Sequence, residues 1–147
     1  MDNSKIICDN CQKPILKPSH GWVQWLSTPE DQYYGFKITH HKSVSPKNGY
    51  NEDGCYFYRN RFDLNDLSLK DFSGIDGMAF LIGMSIEYTG KGGAQRFLNH
   101  VEFASLLMRL HLPYYEETSH LFDLESLSDK RKAYSPSRMK HLLQCAA

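Results

Sequence analysis

The sequence predicts an α+β protein in which a β-rich unit comes first and helices follow. Before residue 61, aromatic and β-branched residues form strand-like runs, and after residue 62 apolar residues recur at helical spacing. A Cys-x-x-Cys turn at Cys8 and Cys11 precedes the first of these runs. The chain has 147 residues, a length that fits one compact unit. We therefore expect a β module over residues 1–61, packed against a helical region over residues 62–147.

Two adjacent segments predict a β-hairpin. Residues 21–26 are aromatic and β-branched, and the turn-forming residues 27–31 follow them. Residues 33–40 then alternate in polarity, and this places four residues on one face: Tyr34, Phe36, Ile38 and His40. A polar loop over residues 43–53 leads to a predicted third strand over residues 54–58.

Helical signals begin after residue 62. Residues 67–72 are predicted to form a helical turn capped by Asp66 or Ser68, and Asp76 is predicted to cap a helix that runs towards Ile86. The longest predicted helix covers residues 94–110. Its main apolar stripe is formed by Phe97, Val101, Ala104, Met108 and His111, widened by Phe103, Leu106, Leu107 and Leu110.

Two further helices are predicted near the C-terminus. Pro113 can occupy the first position of a helix that continues to about Leu127. Ser135 and Pro136 provide a cap and a first-turn proline for a last helix that ends near Gln144. The sequence therefore predicts about four helices after the β module.

Composition and charge narrow the function classes. Lys plus Arg and Asp plus Glu each number 17, so the formal net charge is zero. This balance disfavours a protein whose whole surface binds DNA, but it allows a local basic patch. No apolar run reaches the roughly 20 residues of a membrane helix, and the first residues lack the features of a signal peptide. The sequence therefore predicts a cytoplasmic protein without a membrane segment.

Cysteine and histidine residues in the first third of the chain have the spacing of a zinc site. Cys8 and Cys11 place two thiolates on one tight turn, which is half of a tetrahedral site. Strand parity places His40 on the apolar face, where an inward ligand would point, and Cys55 follows the polar loop. We therefore predict zinc bound by Cys8, Cys11, His40 and Cys55, with His41 as the substitute for His40. The layout is that of a zinc-ribbon-like β-hairpin unit packed on a C-terminal helical bundle.

Three other interpretations of these residues stay open. A redox-active Cys-x-x-Cys requires a βαβ context, whereas this motif leads into Pro14 and a hairpin. A buried, hydrogen-bonded His40 and a small core Cys55 would leave no metal site. The histidine doublet also invites comparison with metal-dependent nucleases of HNH type, in which His41 would act as general base. A site saturated by four Cys and His ligands is structural, and no catalytic set is predicted.

Charge is segregated near the C-terminus. The charged residues between 113 and 129 are all acidic, and those from residue 130 onward are all basic: Lys130, Arg131, Lys132, Arg138 and Lys140. One interpretation is ion pairing between neighbouring helices of the chain. The other is a basic surface that contacts phosphates or an acidic partner.

A resemblance adds to these inferences. The Cys8 and Cys11 turn, residues 21–26, residues 36–41 and Cys55 together resemble small bacterial and phage-type proteins of no assigned function that begin with a zinc ribbon. The resemblance covers about the first 60 residues, and it implies metal binding and a bacterial or mobile-element origin.

The sequence therefore favours a non-enzymatic, zinc-stabilised binding protein that acts through protein or nucleic-acid contacts. The alternative is a metal-dependent HNH-like nuclease that uses His41. The sequence leaves the oligomeric state open.

Overall fold

The computed structural model describes residues 5–46, 54–90, 93–118 and 135–146, and in it strands are followed by helices. This order confirms the predicted α+β fold class.

Two small antiparallel sheets lie in this part of the chain. β1 (Ile6–Ile7) pairs with β2 (Pro14–Ile15), which closes the Cys-x-x-Cys segment into a loop. β3 (Gly21–Ser27), β4 (Tyr33–His40) and β5 (Leu64–Ser68) form the second sheet, in the order β4-β3-β5. The predicted hairpin is confirmed as the β3–β4 pair.

Helices occupy most of the described residues after the sheet. The α-helices are α1 (Gly74–Ser85), α2 (His100–His111), α3 (Tyr115–Thr118) and α4 (Pro136–Ala146). Short 3-10 turns lie at Pro18–His20, Lys42–Val44 and Leu69–Phe72. Within the described ranges, no helix combines the length and the apolar character needed to cross a lipid bilayer.

The third strand of the main sheet is not the one predicted. Residues 54–58 form turns and irregular backbone, because the buried side chain of Gln24 takes up their hydrogen bonds. Gln24 Oε1 accepts from the backbone N–H groups of Phe57 at 2.8 Å and Tyr58 at 3.2 Å, and its Nε2 donates to the Tyr58 carbonyl at 3.3 Å. This segment therefore crosses the face of the sheet, and β5 supplies the third strand.

A β-bulge at Gly35 changes which tyrosine faces the core. The strand register slips by one residue opposite Trp25, and Gly35 adopts a left-handed conformation with φ of 69°. As a result, Tyr33 packs against Trp25 beside Phe36, with ring centroids 5.6 and 5.5 Å from the indole. The prediction that Tyr34 shares a face with Phe36, Ile38 and His40 is therefore wrong. The one residue that the bulge inserts reverses the alternation of side chains in the part of β4 that precedes it.

α2 begins six residues later than the helix predicted for residues 94–110. The residues before it follow the edge of β4 instead: the N–H of Tyr33 donates to the Arg96 carbonyl at 2.6 Å, and the N–H of Leu98 donates to the Tyr33 carbonyl at 2.9 Å. The Asn99 side chain then caps α2. Tertiary pairing with the sheet thus replaces the first turns of the predicted helix.

The buried side of α2 also differs from the prediction. Leu106 is buried, whereas Val101 on the predicted main stripe is 61% exposed. The residues predicted to widen the stripe are the ones that pack on the core: Phe103, Leu106, Leu107 and Leu110.

The remaining helices agree with the sequence to within a few residues. α1 begins two residues before the predicted cap Asp76, and the Ser68 side chain caps the 3-10 turn after β5 by accepting from Lys70 N–H. α4 confirms the last predicted helix. α3 falls at the start of the helix predicted from Pro113, and the later part of that prediction lies outside the described residues.

One core joins the main sheet to α1 and α2. Its buried members come from the strands, the 3-10 turn and both helices, and they include Val23, Trp25, Ile38, Leu69, Phe72, Leu81 and Leu106. β5 lies beyond residue 61 and pairs with β3, so this sheet includes residues from both predicted units. The division into two units at that residue stays a prediction.

A pair of glycines in α1 tests this packing. A Cβ at Gly77 would collide with the backbone carbonyl of Phe72, whereas a Cβ at Gly83 would meet open space. We expect Gly77→Ala to lower the free energy of unfolding by about 1–3 kcal/mol through overpacking. The matched Gly83→Ala change should raise it by up to about 1 kcal/mol, because alanine favours a helix over glycine. Urea unfolding followed by circular dichroism measures both, and equal effects would contradict the close approach at Gly77.

Candidate metal centre

Four of the five predicted metal ligands come together at one point. One potential ligand atom each from Cys8, Cys11, His40 and Cys55 lies within 4.8 Å of all the others. Cys8, His40 and Cys55 are buried and Cys11 is partly buried. A tetrahedral zinc ion with Zn–S bonds of about 2.3 Å would place its sulfurs about 3.8 Å apart. The cluster is therefore close to the size of a zinc site.

The Cys-x-x-Cys segment is a tight turn because its backbone hydrogen bonds close locally. The N–H of Cys8 donates to the Lys13 carbonyl and the N–H of Gln12 donates to the Cys8 carbonyl, both at 3.0 Å. Gln12 adopts a left-handed conformation, with φ of 61°. This reversal directs both cysteines of the turn towards the same point.

The two residues between the cysteines hold the segments that carry the other ligands. Asp9 pairs with Ile38 on β4 in both directions: its N–H donates to the Ile38 carbonyl at 2.8 Å, and its carboxylate accepts from the Ile38 N–H at 2.7 Å. Asn10 donates from Nδ2 to the carbonyls of Cys55 at 3.0 Å and Tyr56 at 3.4 Å. Asp9 thus brings β4 and His40 to the turn, and Asn10 brings Cys55.

A backbone carbonyl selects the ligand nitrogen of His40. Its Nε2 lies 3.1 Å from the Pro14 carbonyl, which can only accept, so Nε2 carries the proton. Nδ1 is then free of hydrogen and lies 3.4 Å from Cys11 Sγ, on the side of the cluster. Histidines that bind a metal through one ring nitrogen commonly donate a hydrogen bond from the other nitrogen to a backbone carbonyl, which fixes the tautomer.

His41, the predicted substitute, points elsewhere. Its Nδ1 accepts from the Ser43 N–H at 3.2 Å and lies 2.8 Å from the Ser43 hydroxyl. Its ring packs edge-on against Trp22 and Tyr56. The structure therefore brings His40, and not His41, to the three cysteines.

The thiols have the environment of metal ligands. All four cysteines of the chain lie in the described residues, and each has a free thiol. The buried hydroxyl of Ser45 donates to Cys55 Sγ at 2.8 Å, and burial raises the pKa of the Cys11 thiol to about 11. A metal ion would have to displace protons from such thiols, so its binding would be favoured as the pH rises.

A largely buried arginine connects this centre to the helices. Arg109 on α2 donates from Nη1 to the Asp9 carboxylate and from Nη2 to the Ile7 carbonyl, both at 3.0 Å, and from Nε to the Glu116 carboxylate on α3. Burial acts to lower the pKa of Arg109, but the two carboxylates raise it, so the guanidinium stays charged. Burial also raises the pKa of Glu116, and Arg109 opposes that shift.

The predicted basic surface is only partly within the described residues. Arg138 and Lys140 are exposed on α4. Lys130, Arg131 and Lys132 lie outside the described residues, so their part in a contact surface stays a prediction.

Sequence reasoning missed three residues that hold the centre together: Asp9, Asn10 and Arg109. A signal for the first two was present, because two polar residues with strong backbone-pairing side chains fill the Cys-Asp-Asn-Cys turn. Glu116 lies seven residues from Arg109, but the link from Arg109 to the centre has no local signal, since Asp9 lies 100 residues away in the chain.

Comparison with protein-family models, with curated proteins and with solved structures finds no match for this chain. The interpretation of the centre therefore depends on its own geometry.

Replacing Arg109 with methionine tests the link between the centre and the helices. The change leaves the partly buried carboxylates of Asp9 and Glu116 without this cation, and we expect the free energy of unfolding to fall by about 1.5–3 kcal/mol at neutral pH. The loss should shrink as the pH falls from neutral into the acidic range. The pKa of Glu116 is raised, so this carboxylate takes up a proton there more readily than an ordinary glutamate, and its charge then no longer opposes folding.

Arg61→Met is the matched control, because it breaks the exposed pair with Asp63 at 2.7 Å. Thermal unfolding across this pH range measures both variants. A loss for Arg109→Met no larger than that for the control would contradict the proposed link.

Proposed function

We propose that this protein is a non-enzymatic binding protein whose N-terminal lobe is held together by one structural zinc ion. The observation that carries the proposal is the convergence of Cys8, Cys11, His40 and Cys55, which are distant in sequence, within 4.8 Å. Three thiolates and one imidazole form a soft, four-ligand set that suits zinc and disfavours magnesium or calcium.

A closed ligand set supports a structural rather than a catalytic role. Catalytic zinc sites keep one position open for water or substrate, whereas four protein ligands saturate the tetrahedron. Bound here, zinc would supply the cross-link between the Cys-x-x-Cys turn, the end of β4 and the segment at Cys55. The ion would then stabilise the N-terminal lobe, by which we mean the Cys-x-x-Cys turn with β1 and β2. These two strands have only two residues each and pair too briefly to be stable alone.

The nuclease alternative has no observation in its favour. Within the described residues, the Cys and His cluster is the one group of at least three potential ligands found close together. His41 lies outside it and is held by Ser43 and by aromatic rings.

A protein partner is favoured over nucleic acid. The net charge of the chain is zero, whereas large apolar side chains are exposed at several positions, including Leu16 at 80% and Phe62 at 104%. Exposed apolar surface favours protein contacts, and nucleic-acid binding requires a basic surface.

Metal content tests the zinc proposal. We expect the purified protein to contain about one equivalent of zinc by mass spectrometry of the metal. The Cys8→Ser, Cys11→Ser double variant and the His40→Ala variant should lose it, because each removes ligands. Cys145→Ser and His41→Ala are the matched controls, since both residues lie outside the cluster, and they should retain it. A folded wild-type protein without metal would refute the proposal.

Salt dependence tests the class of partner. We expect no measurable binding of a random-sequence oligonucleotide at physiological salt by fluorescence anisotropy. Suppose instead that a complex forms and weakens steeply between about 50 and 200 mM salt, and that the Arg138→Glu, Lys140→Glu double variant abolishes it. The partner would then be nucleic acid, and the preference for protein would be wrong.

A further inference from the structure

The helix α1 is apolar on the side that faces the core and also on the side that faces solvent. The buried side consists of Gly77, Leu81 and Met84. The middle of the opposite side is formed by Ile75 at 82% exposure, Ala79, Ile82 at 46% and Ile86 at 72%, the last being the residue that ends the helix. We call these four residues the outer stripe.

An outer stripe of this kind requires a partner. A surface helix normally has charged or polar residues opposite its buried side, and a helix that is apolar all round is usually buried. α1 contains one charged residue, Asp76, and none of the four residues of the outer stripe is polar. The stripe therefore has the character of an interface that is open in the single chain.

The spacing of the outer stripe is self-complementary. Its residues are separated by four, three and four positions, and this sequence of intervals reads the same in both directions. Two copies of α1 packed antiparallel would therefore place Ile75 opposite the Ile86 of a second copy, and Ala79 opposite its Ile82. Both pairs recur across the twofold axis, as an isologous interface requires.

The sizes of the facing residues also match. Each pairing of Ala79 with Ile82 combines a small residue with a large one, which is how packed helices interdigitate. Gly83 lies beside the stripe and has open space where a Cβ would be, so the two helices can approach closely there.

The charges beside the stripe disfavour a membrane as its partner. Amphipathic helices that bind membranes carry Lys or Arg on their polar side. α1 carries Asp76 and has no basic residue, and Glu87 follows it. Glu87 is paired with Arg96 at 3.4 Å, and this pair reduces its repulsion towards the Asp76 of a second copy.

We propose that the outer stripe of α1 binds the same stripe of a second copy, to form an antiparallel, twofold-symmetric dimer. This inference rests on the proposed function, which favours a protein partner, and it identifies that partner as a second copy of the chain. A standard interface removes about 800 Å² from each partner, whereas a helix of 12 residues is only about 18 Å long. The dimer is therefore weak and reversible.

Analytical ultracentrifugation of the zinc-loaded full chain, from micromolar to millimolar concentration, tests the proposal. We expect a monomer–dimer equilibrium that Ile82→Glu weakens by at least about tenfold, because it would bury an unpaired carboxylate. Leu16→Glu is the matched control, since it changes an exposed apolar residue outside α1 and should leave the equilibrium unchanged. Circular dichroism confirms that each variant is folded.

Mixing two variants tests the antiparallel register. Neither Ile82→Glu nor Ala79→Lys should form homodimers, but an equimolar mixture should form heterodimers. In that pair the new glutamate faces the new lysine, while the second pair stays native. A parallel arrangement would not bring the two charges together, so a mixture that stays monomeric overturns the register.

Two further results would overturn the dimer itself. The dimer proposal is wrong if the wild-type protein stays monomeric at millimolar concentration. It is also wrong if the monomer cosediments with neutral phosphatidylcholine vesicles and Ile82→Glu abolishes that cosedimentation. Both results leave the metal content untouched, so this failure is distinguishable from a failure of the zinc proposal.

Discussion

Asp9 joins three parts of the protein: the Cys-x-x-Cys turn, β4 and α2. Its backbone and its carboxylate both pair with Ile38 on β4, and the same carboxylate accepts from Arg109 on α2. The turn that carries two of the cysteines is thereby fixed to the strand that carries His40 and to the helical body. Without this residue, the turn would be a short loop on two-residue strands, which cannot hold a fixed position alone.

Elsewhere in the sheet, too, a polar side chain makes the hydrogen bonds that a neighbouring strand would otherwise make. Gln24 pairs with the backbone of Phe57 and Tyr58, and the carboxylate of Glu102 accepts from the N–H of Gly35 at the β-bulge. Each contact satisfies backbone groups that regular pairing leaves without partners, and leaving such groups unsatisfied in the interior would cost free energy. Irregular segments are therefore held by hydrogen bonds in fixed positions, and one of them brings Cys55 to the candidate metal centre.

The two proposed interaction features lie in different parts of the molecule and have different chemistry. The candidate metal centre is largely buried and offers four ligand atoms, so it suits a role in stability. The outer stripe of α1 is exposed and lacks charge, so it suits contact with another protein. The partly buried ion pairs of Arg109 connect the Cys-x-x-Cys turn to α2, and α2 packs with α1 on the common core. Loss of the proposed zinc ion would therefore weaken the scaffold that presents the outer stripe.

The sequence by itself determined the fold class, the β3–β4 hairpin, the last helix and a set of five candidate ligands, four of which converge. These follow from local patterns: alternation, helix caps and the two-residue spacing of thiols. It did not determine the bulge at Gly35, the late start of α2 or the third strand, because each is set by pairing with a segment distant in the chain. Tertiary structure alone decided between His40 and His41. Strand parity favours His40, but only the Pro14 carbonyl behind its ring and the Ser43 contact of its neighbour place one imidazole in the cluster and the other outside it.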